Sequence, residues 1–217
     1  MLEYQTFSEE NYQEICDYLA VKQPAFAEII DKYGYPHYVT RPASFATLVR
    51  LIIEQQVSLA SAKAAFDKLT AIAIAVTPEH ILRLSDEDFR AATISRQKIG
   101  YLRILAEAIS SNSLVLSALH TLSDDEARAH LMALKGIGNW TSDVFLMECL
   151  QRTDIFPVGD VALRSAMKAC LELPKDTPPE ALVAAAEALR PYRSIATMLF
   201  WHHYISTKNI DLKKLLS

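Results

Sequence analysis

The segment LMALKGIGNWTSDVF, residues 131–145, predicts two helices joined by a very tight turn. The first helix should end near Lys135, the chain turns through the tripeptide GIG at 136–138, and the second helix should begin near Asn139. Glycine adopts positive φ angles readily, so both glycines are expected to do so while Ile137 packs between the helices. The amides at the start of the second helix would then face outward, where unpaired N–H groups and the helix dipole favour a phosphate.

The rest of the chain is typical of an all-α protein. Apolar residues make up 51% of the 217 residues and recur at three- and four-residue spacing, while there are only 5 glycines. Hydroxyl residues suited to capping precede most of the predicted helices, and SDED at Ser85 and SDDE at Ser123 match capping boxes. The predicted helices start at Ser8, Pro24, Ser44, Ser58, Thr77, Ser85, Ser95 and Ser123, and then cover residues 139–151, 160–172, 178–190 and 191–206.

Several classes of protein are disfavoured by the composition. No apolar run approaches the roughly 20 residues of a membrane span, and the start lacks the features of a secretory signal, so an intracellular, cytoplasmic location is expected. The three cysteines lie far apart and fit neither a disulfide framework nor a metal site, and no histidine spacing suggests a catalytic metal. We therefore expect no cofactor and a monomer.

The net charge of −4 argues against a partner that is bound through a strongly basic surface. Backbone amides need no net positive charge to hold a phosphate, so a turn such as the one at 136–138 can overcome this objection. A GxG sequence alone also fits an ordinary helix end, where one glycine is the C-cap and the other belongs to the turn.

The full pattern Leu-x-Gly-Ile-Gly-x-x-Thr-Ser, residues 134–142, resembles the helix-hairpin-helix element of the HhH-GPD superfamily of base-excision DNA glycosylases. In that family the hairpin holds the DNA backbone beside the lesion, often with a monovalent cation at its carbonyls. The resemblance implies two helical lobes. No iron–sulfur cluster is expected, because the four clustered C-terminal cysteines of the endonuclease III branch are not present. Residues 43–145 would form a central helical barrel lobe ending in the hairpin, residues 1–42 with 146–217 a second lobe, and the active-site cleft would lie between them.

Asp160 stands 160 − 138 = 22 positions after Gly138, in the segment FPVGDVALR, where the resemblance places the catalytic aspartate. Cleavage of a glycosidic bond builds positive charge on the deoxyribose, which a fixed carboxylate stabilises, and the same group can orient the attacking water. The simpler interpretation is that Asp160 is only the N-cap of the next helix, and both roles can hold. Arg164, one turn later, is a candidate for pairing with it, and Arg193 is a second supporting residue.

Trp140 occupies the position where bifunctional members of the family carry a nucleophilic lysine, so hydrolysis without strand cleavage is expected. The segment PYRSIATMLFWHHY, 191–204, is similar to a helix of the 3-methyladenine DNA glycosylase II (AlkA-type) family, in which Trp201 would supply a pocket aromatic. Flat aromatic faces bind electron-poor alkylated purines by stacking and cation–π attraction. Core packing is the alternative for both tryptophans.

Three residues depart from the family pattern: Val144 and Val161 stand where pocket tyrosines are expected, and Gly159 where an additional acid can occur.

The turn Gln-Gln-Val-Ser at 55–58 resembles the family turn that fills the gap left by an everted base. Gln56 is the candidate wedge, with Gln55 beside it, because an amide can bond the orphaned partner base. Alternatively, both glutamines are simply polar residues at a helix end. Arg96 and Lys98 either face phosphates or are solvated.

These observations predict a monofunctional DNA glycosylase of base excision repair that removes alkylated purines such as 3-methyladenine and 7-methylguanine from double-stranded DNA. The alternative is a non-catalytic helix-hairpin-helix protein that binds damaged DNA. The predicted residues in contact with DNA are Gln55, Gln56, Lys135, Gly136, Ile137, Gly138 and Thr141.

Overall fold

The computed structural model describes residues 4–211, and the contacts among them divide the chain into two units. One unit comprises residues 41–145, and the other comprises residues 4–40 with 146–211. Over the described residues the secondary structure is twelve α-helices and two short 3₁₀ helices, with no β-sheet beyond an isolated bridge between Thr6 and Arg152. The predicted all-α class is confirmed.

The unit of residues 41–145 is built around a buried helix, α3. Eight of its ten residues are buried, and Leu48, Leu51 and Ile52 are fully inaccessible. A helix that is apolar around most of its circumference must be covered on several sides, and α3 packs against α4 and α7. The helices of this unit are α3 (Phe45–Glu54), α4 (Leu59–Ala73), α5 (Pro78–Arg83), α6 (Asp86–Ala91), α7 (Arg96–Ser110), a 3₁₀ helix (Leu116–Thr121), α8 (Asp124–Met132) and the start of α9 (Asn139–Glu148).

Side-chain caps set the starts of these helices, as the sequence predicts. The six capping oxygens each accept the backbone N–H of the third helical residue, and the capping boxes at Ser85 and Ser123 are both complete. Such caps satisfy amides that have no partner inside the helix. The capping residues of this unit are Ser44, Ser58, Thr77, Ser85, Ser95 and Ser123. The sequence did not predict the 3₁₀ helix at Leu116–Thr121.

The second unit is built around α12, whose residues 194–200 are all buried. This helix packs against α1, α2 and α10. Phe200 of α12 meets Phe26 of α2 with ring centroids 4.8 Å apart, a favourable tilted pair. The helices of this unit are α1 (Glu9–Lys22), α2 (Pro24–Tyr33), α10 (Val161–Cys170), α11 (Pro179–Ala186), a 3₁₀ helix (Glu187–Leu189) and α12 (Arg193–Thr207).

The cysteines behave as apolar residues. Cys16 and Cys149 are buried, and Cys170 is partly buried. Burial raises the pKa of the Cys16 thiol to about 12 and that of Cys170 to about 11, because the charged thiolate loses its hydration. Within residues 4–211, no helix is both long and apolar enough to cross a membrane.

The cap at Ser123 generates a prediction about stability. Ser123→Ala removes the oxygen that binds Glu126 N at 3.3 Å and the hydroxyl that donates to the Glu126 carboxylate at 2.6 Å. We expect the free energy of unfolding to fall by about 1 kcal/mol in urea denaturation. Ser117→Ala, at an exposed serine, should change it by less than about 0.5 kcal/mol. Equal losses in the two variants would contradict the capping role.

Candidate functional site

The predicted hairpin is present between α8, which ends at Met132, and α9, which begins at Asn139. Gly136 has a φ of +104°, in agreement with the expected tight turn. Ile137 is buried, and its N–H donates to Leu134 O at 3.1 Å, which closes the turn. The expectation of a second positive φ was wrong: the positive-φ glycines of the described residues do not include the second hairpin glycine.

Gly136 is required for two physical reasons. Its φ lies outside the range that L side chains adopt comfortably. In addition, a Cβ at this position would lie 2.2 Å from Cγ of Tyr101, because the ring of this α7 residue packs directly on the turn. A Cβ at Gly138 would meet no atom within 4 Å. Gly138 therefore leaves the outer side of the turn open to a ligand.

The amides of this turn are suited to an anion. Within the described residues, the N–H groups of Gly136, Gly138 and Asn139 donate no hydrogen bond. Gly138 and Asn139 are exposed, and so is the neighbouring cation Lys135. Exposed N–H groups at the start of α9 form the kind of concave donor surface that binds phosphate oxygens.

Gln55 binds the hairpin from inside the same unit. Its Nε2 donates to Gly136 O and to Thr141 Oγ1, both at 2.8 Å. Thr141 is only 1% exposed. The predicted direct DNA contact of Thr141 was therefore wrong, since its hydroxyl faces inward and receives the Gln55 amide. Gln55 likewise directs its amide nitrogen to the hairpin.

The hairpin carbonyls are used by the chain itself. Leu134 O accepts from Ile137 N, Gly136 O accepts from Gln55, and Gly138 O accepts from both N and Oγ of Ser142. A carbonyl oxygen has two lone pairs, so the monovalent cation that the family resemblance implies at the hairpin carbonyls stays a prediction. No step proposed below uses a cation.

An ion pair that the sequence did not predict joins the two helices of the hairpin. Arg128 of α8 contacts Oδ1 of Asp143 of α9 with two guanidinium nitrogens, each at 2.9 Å. Asp143 is 7% exposed. Removing one partner of such a pair would leave a buried charge uncompensated and is therefore destabilising.

The turn between α3 and α4, residues 55–58, is called the wedge turn here because it carries the predicted wedge. Gln56 is exposed and has a φ of +58°, a left-handed conformation uncommon outside glycine. Val57 is 46% exposed and Leu59, just after the turn, is 40% exposed. The wedge turn and the first residue of α4 thus present the amide of Gln56 and the apolar side chains of Val57 and Leu59 outward.

Two charged side chains form bonds at the end of α3, where the wedge turn begins. The carboxylate of Glu54, at the end of α3, accepts from Arg41 Nη1 at 3.0 Å with both oxygens and from Arg50 Nε at 3.2 Å. Lys98 Nζ donates to Ile53 O at 2.7 Å and to Gln55 O at 2.8 Å. Burial lowers the pKa of Lys98, because its charged form is partly desolvated.

Lys98 caps α3 with its ammonium, a role that was included in neither interpretation from the sequence, a phosphate contact or a solvated surface residue. Arg96 remains exposed and lines a cavity of about 300 Å³ with Tyr101 and Lys135.

In the other unit, Asp160 is the N-cap of α10. Its Oδ1 accepts from Leu163 N at 2.7 Å and from Trp201 Nε1 at 3.0 Å. The segment before it is a tight loop in which Asp160 N donates to Pro157 O at 2.8 Å. Asp160 and Trp201 are both partly exposed. Asp160 with its two N–H donors is referred to below as the aspartate site.

The remaining predicted residues have these positions. Trp140 is partly buried, Val144 is buried, and Val161, next to Asp160, is 70% exposed. Arg164 donates its backbone N–H to Asp160 O at 3.1 Å. Arg193 forms a forked pair with Asp154, Nε to Oδ1 at 2.8 Å and Nη2 to Oδ2 at 3.0 Å, and so anchors the start of α12.

Comparison with known proteins connects these features. Residues 49–191, well over half of the chain, match the family described as HhH-GPD superfamily base excision DNA repair protein. The chain is 28% identical over 178 residues to DNA-3-methyladenine glycosylase 1 of Schizosaccharomyces pombe, which covers 80% of this chain and 78% of that protein. It is 24% identical over 201 residues to the putative DNA-3-methyladenine glycosylase YfjP of Bacillus subtilis, 89% of this chain and 69% of that protein.

Solved structures give the same result. The 3-methyladenine DNA glycosylase of S. pombe, in complex with abasic DNA, superposes with a TM-score of 0.80 at 26% identity, covering 90% of this chain and 97% of that one. The DNA-3-methyladenine glycosidase of Bacillus halodurans gives a TM-score of 0.75 at 28% identity, covering 100% of this chain and 99% of that one.

The packing of Tyr101 on the turn generates a prediction. Gly136→Ala should lower the free energy of unfolding by about 2–4 kcal/mol, because the backbone is strained and the new methyl overlaps the ring. Gly100→Ala, next to Tyr101 in the exposed part of α7, has open space at Cβ. It should raise stability by about 0.5–1 kcal/mol. Denaturant unfolding distinguishes the two, and a neutral Gly136→Ala would contradict the close packing.

Proposed function

Because the chain belongs to the HhH-GPD superfamily of base excision DNA repair proteins, we propose that it is a DNA glycosylase. The reaction is hydrolysis of the N-glycosidic bond between deoxyribose and an alkylated purine, with 3-methyladenine and 7-methylguanine as representative substrates. The relatives named as 3-methyladenine glycosylases support this substrate class. Its partner is double-stranded DNA with a damaged base.

The observation that carries the proposal is the aspartate site. Two N–H donors, Leu163 N and Trp201 Nε1, converge on one oxygen of Asp160 and fix the orientation of the carboxylate. As the bond to the base breaks, positive charge develops at C1′ and O4′ of the sugar. A preoriented carboxylate stabilises that charge without reorganising, and the same group accepts the proton of the attacking water.

The hairpin and the wedge turn bind the DNA. The unpaired amides of Gly136, Gly138 and Asn139 bind phosphate oxygens, with Lys135 adding a positive charge. Gln56 enters the stack at the position of the everted base and hydrogen-bonds the orphaned partner base. This arrangement needs few basic side chains, which suits a chain with a net charge of −4.

The everted base is bound by aromatic faces. Alkylated purines are electron-poor and often cationic, so they stack favourably on the indoles of Trp140 and Trp201. A cationic base is also a good leaving group, and one carboxylate then suffices for hydrolysis. Trp140 occupies the position of the lysine nucleophile of bifunctional enzymes, so the product is an intact abasic site.

Asp160→Asn tests this mechanism. Asparagine still caps α10 and accepts from Trp201, so the fold is retained. The charge is lost, and single-turnover release of 7-methylguanine from a duplex should slow by about 10²-fold or more. Binding to a duplex with an abasic-site analogue should change little.

Asp176→Asn, at an exposed aspartate, is the matched control and should release base at the unmodified rate. Undiminished release by Asp160→Asn would remove this residue from the mechanism. A wild-type protein that retains damaged duplexes but releases no base would favour the non-catalytic binding protein instead.

A further inference from the structure

The end of α3 has an unusual side-chain cap. The last carbonyls of a helix have no partner within it and are satisfied by water, by a following glycine or by a side chain. No glycine follows α3, since the next residues are Gln55, Gln56 and Val57. Instead Lys98, 45 positions away on α7, donates to Ile53 O and Gln55 O at 2.7 and 2.8 Å.

These two hydrogen bonds lie on either side of the point where the chain leaves the helix. Gln55 has extended backbone angles, φ −57° and ψ +127°, and the next residue, Gln56, has φ +58°. A left-handed non-glycine residue is unfavourable and persists only where its surroundings hold it. Lys98 binds the carbonyl directly before this strained residue, so it holds the backbone in the geometry that exposes Gln56.

The surroundings of the Lys98 ammonium favour its hydrogen bonds to the two carbonyls. A cavity of about 350 Å³ beside it is lined by Lys98, by five apolar residues, among them Ile53 and Val57, and by the hydroxyl residues Ser61, Thr93 and Ser95. Lys98 is only partly exposed, so its ammonium is incompletely hydrated and is stabilised by fixed hydrogen-bond partners. Lysine also suits two converging carbonyls, since its compact ammonium has three donors that can rotate towards them.

A second restraint acts on the same turn from the hairpin. The side chain of Gln55 donates to Gly136 O and Thr141 Oγ1, both at 2.8 Å, while its main chain accepts from Lys98. Gln55 thus links the wedge turn to the hairpin through its side-chain amide and to Lys98 of α7 through its backbone carbonyl.

We propose that Lys98 is a positioning residue for base eversion: it contacts no DNA, but its ammonium fixes the wedge turn so that Gln56 enters the stack in register with the phosphate held by the hairpin. This rests on the proposed function, in which Gln56 is the wedge.

The first test needs no DNA. Hydrogen exchange of the free protein should show faster exchange for the helical amides at the end of α3, residues 51–55, in Lys98→Met than in the unmodified protein, with the core of α12 unchanged. Lys98→Arg, which keeps donors and charge, should restore part of the protection. Lys68→Met, at an exposed lysine of α4, removes the same charge and should leave the turn unchanged. Unaltered exchange at residues 51–55 in Lys98→Met would overturn the positioning role.

The second test is a double-mutant cycle on single-turnover base release from a 7-methylguanine duplex. Gln56→Ala and Lys98→Met should each slow release by about tenfold, because a misplaced wedge costs rate without touching the reacting atoms. If Lys98 acts through Gln56, the double variant should be no slower than either single variant. Multiplicative losses, of about a hundredfold together, would overturn the proposal and indicate a general structural role.

Failure of the proposed glycosylase function and failure of the proposed role of Lys98 give different experimental results. A protein without glycosylase activity shows no base release before any variant is made, which contradicts the proposed function. The exchange measurement still reports on Lys98 in that case, since it uses the free protein. Thermal unfolding of Lys98→Met, compared with Lys68→Met, shows whether the variant is folded. Lys98→Gln, which also removes the charge, replaces it in both tests should Lys98→Met prove unstable.

Discussion

The function proposed for this protein depends on one oxygen atom, Oδ1 of Asp160, which accepts N–H groups from Leu163 and Trp201. The bond from Leu163 is an ordinary helix cap, and it ties the orientation of the carboxylate to the start of α10. The bond from Trp201 ties the same atom to α12, the central helix of its unit. A group held by two elements loses little entropy when it meets a developing positive charge, which is the condition for electrostatic catalysis.

The hairpin shows how an acidic protein can bind a polyanion. The net charge of −4 includes Glu54 and Asp143, both buried, each held by arginines within its own unit. These charges are therefore neutralised within the protein, at the C-terminal end of α3 and between α8 and α9. The surface offered to a phosphate consists of backbone amides with Lys135 beside them. Local geometry therefore matters more than total charge for this interaction.

Local patterns in the sequence sufficed for the helix starts, the hairpin and the cap at Asp160. Serine and threonine caps act within three residues, and glycine turns act within four, so both can be seen in a short window. The family resemblance added roles for Asp160, Trp140 and Trp201. Those roles are proposals. The structure adds the hydrogen bond from Trp201 Nε1 to Asp160 Oδ1.

Contacts between segments that are distant in the sequence could not be predicted from such short windows. The amide of Gln55 reaches Gly136, and the ammonium of Lys98 reaches the end of α3, only because folding places these segments together. For the same reason Thr141 was misassigned, since a hydroxyl near a glycine turn can face either DNA or the core. Sequence spacing along α9 alone does not distinguish the two.

The central claim is that Asp160 stabilises positive charge on the sugar, and a binding measurement tests it most directly. A duplex with a cationic pyrrolidine in place of the deoxyribose mimics the charged intermediate, and a neutral tetrahydrofuran analogue has the same shape. The unmodified protein should bind the cationic duplex at least about tenfold more tightly, and Asp160→Asn should bind the two alike. An undiminished preference for the cationic duplex in Asp160→Asn would contradict the claim.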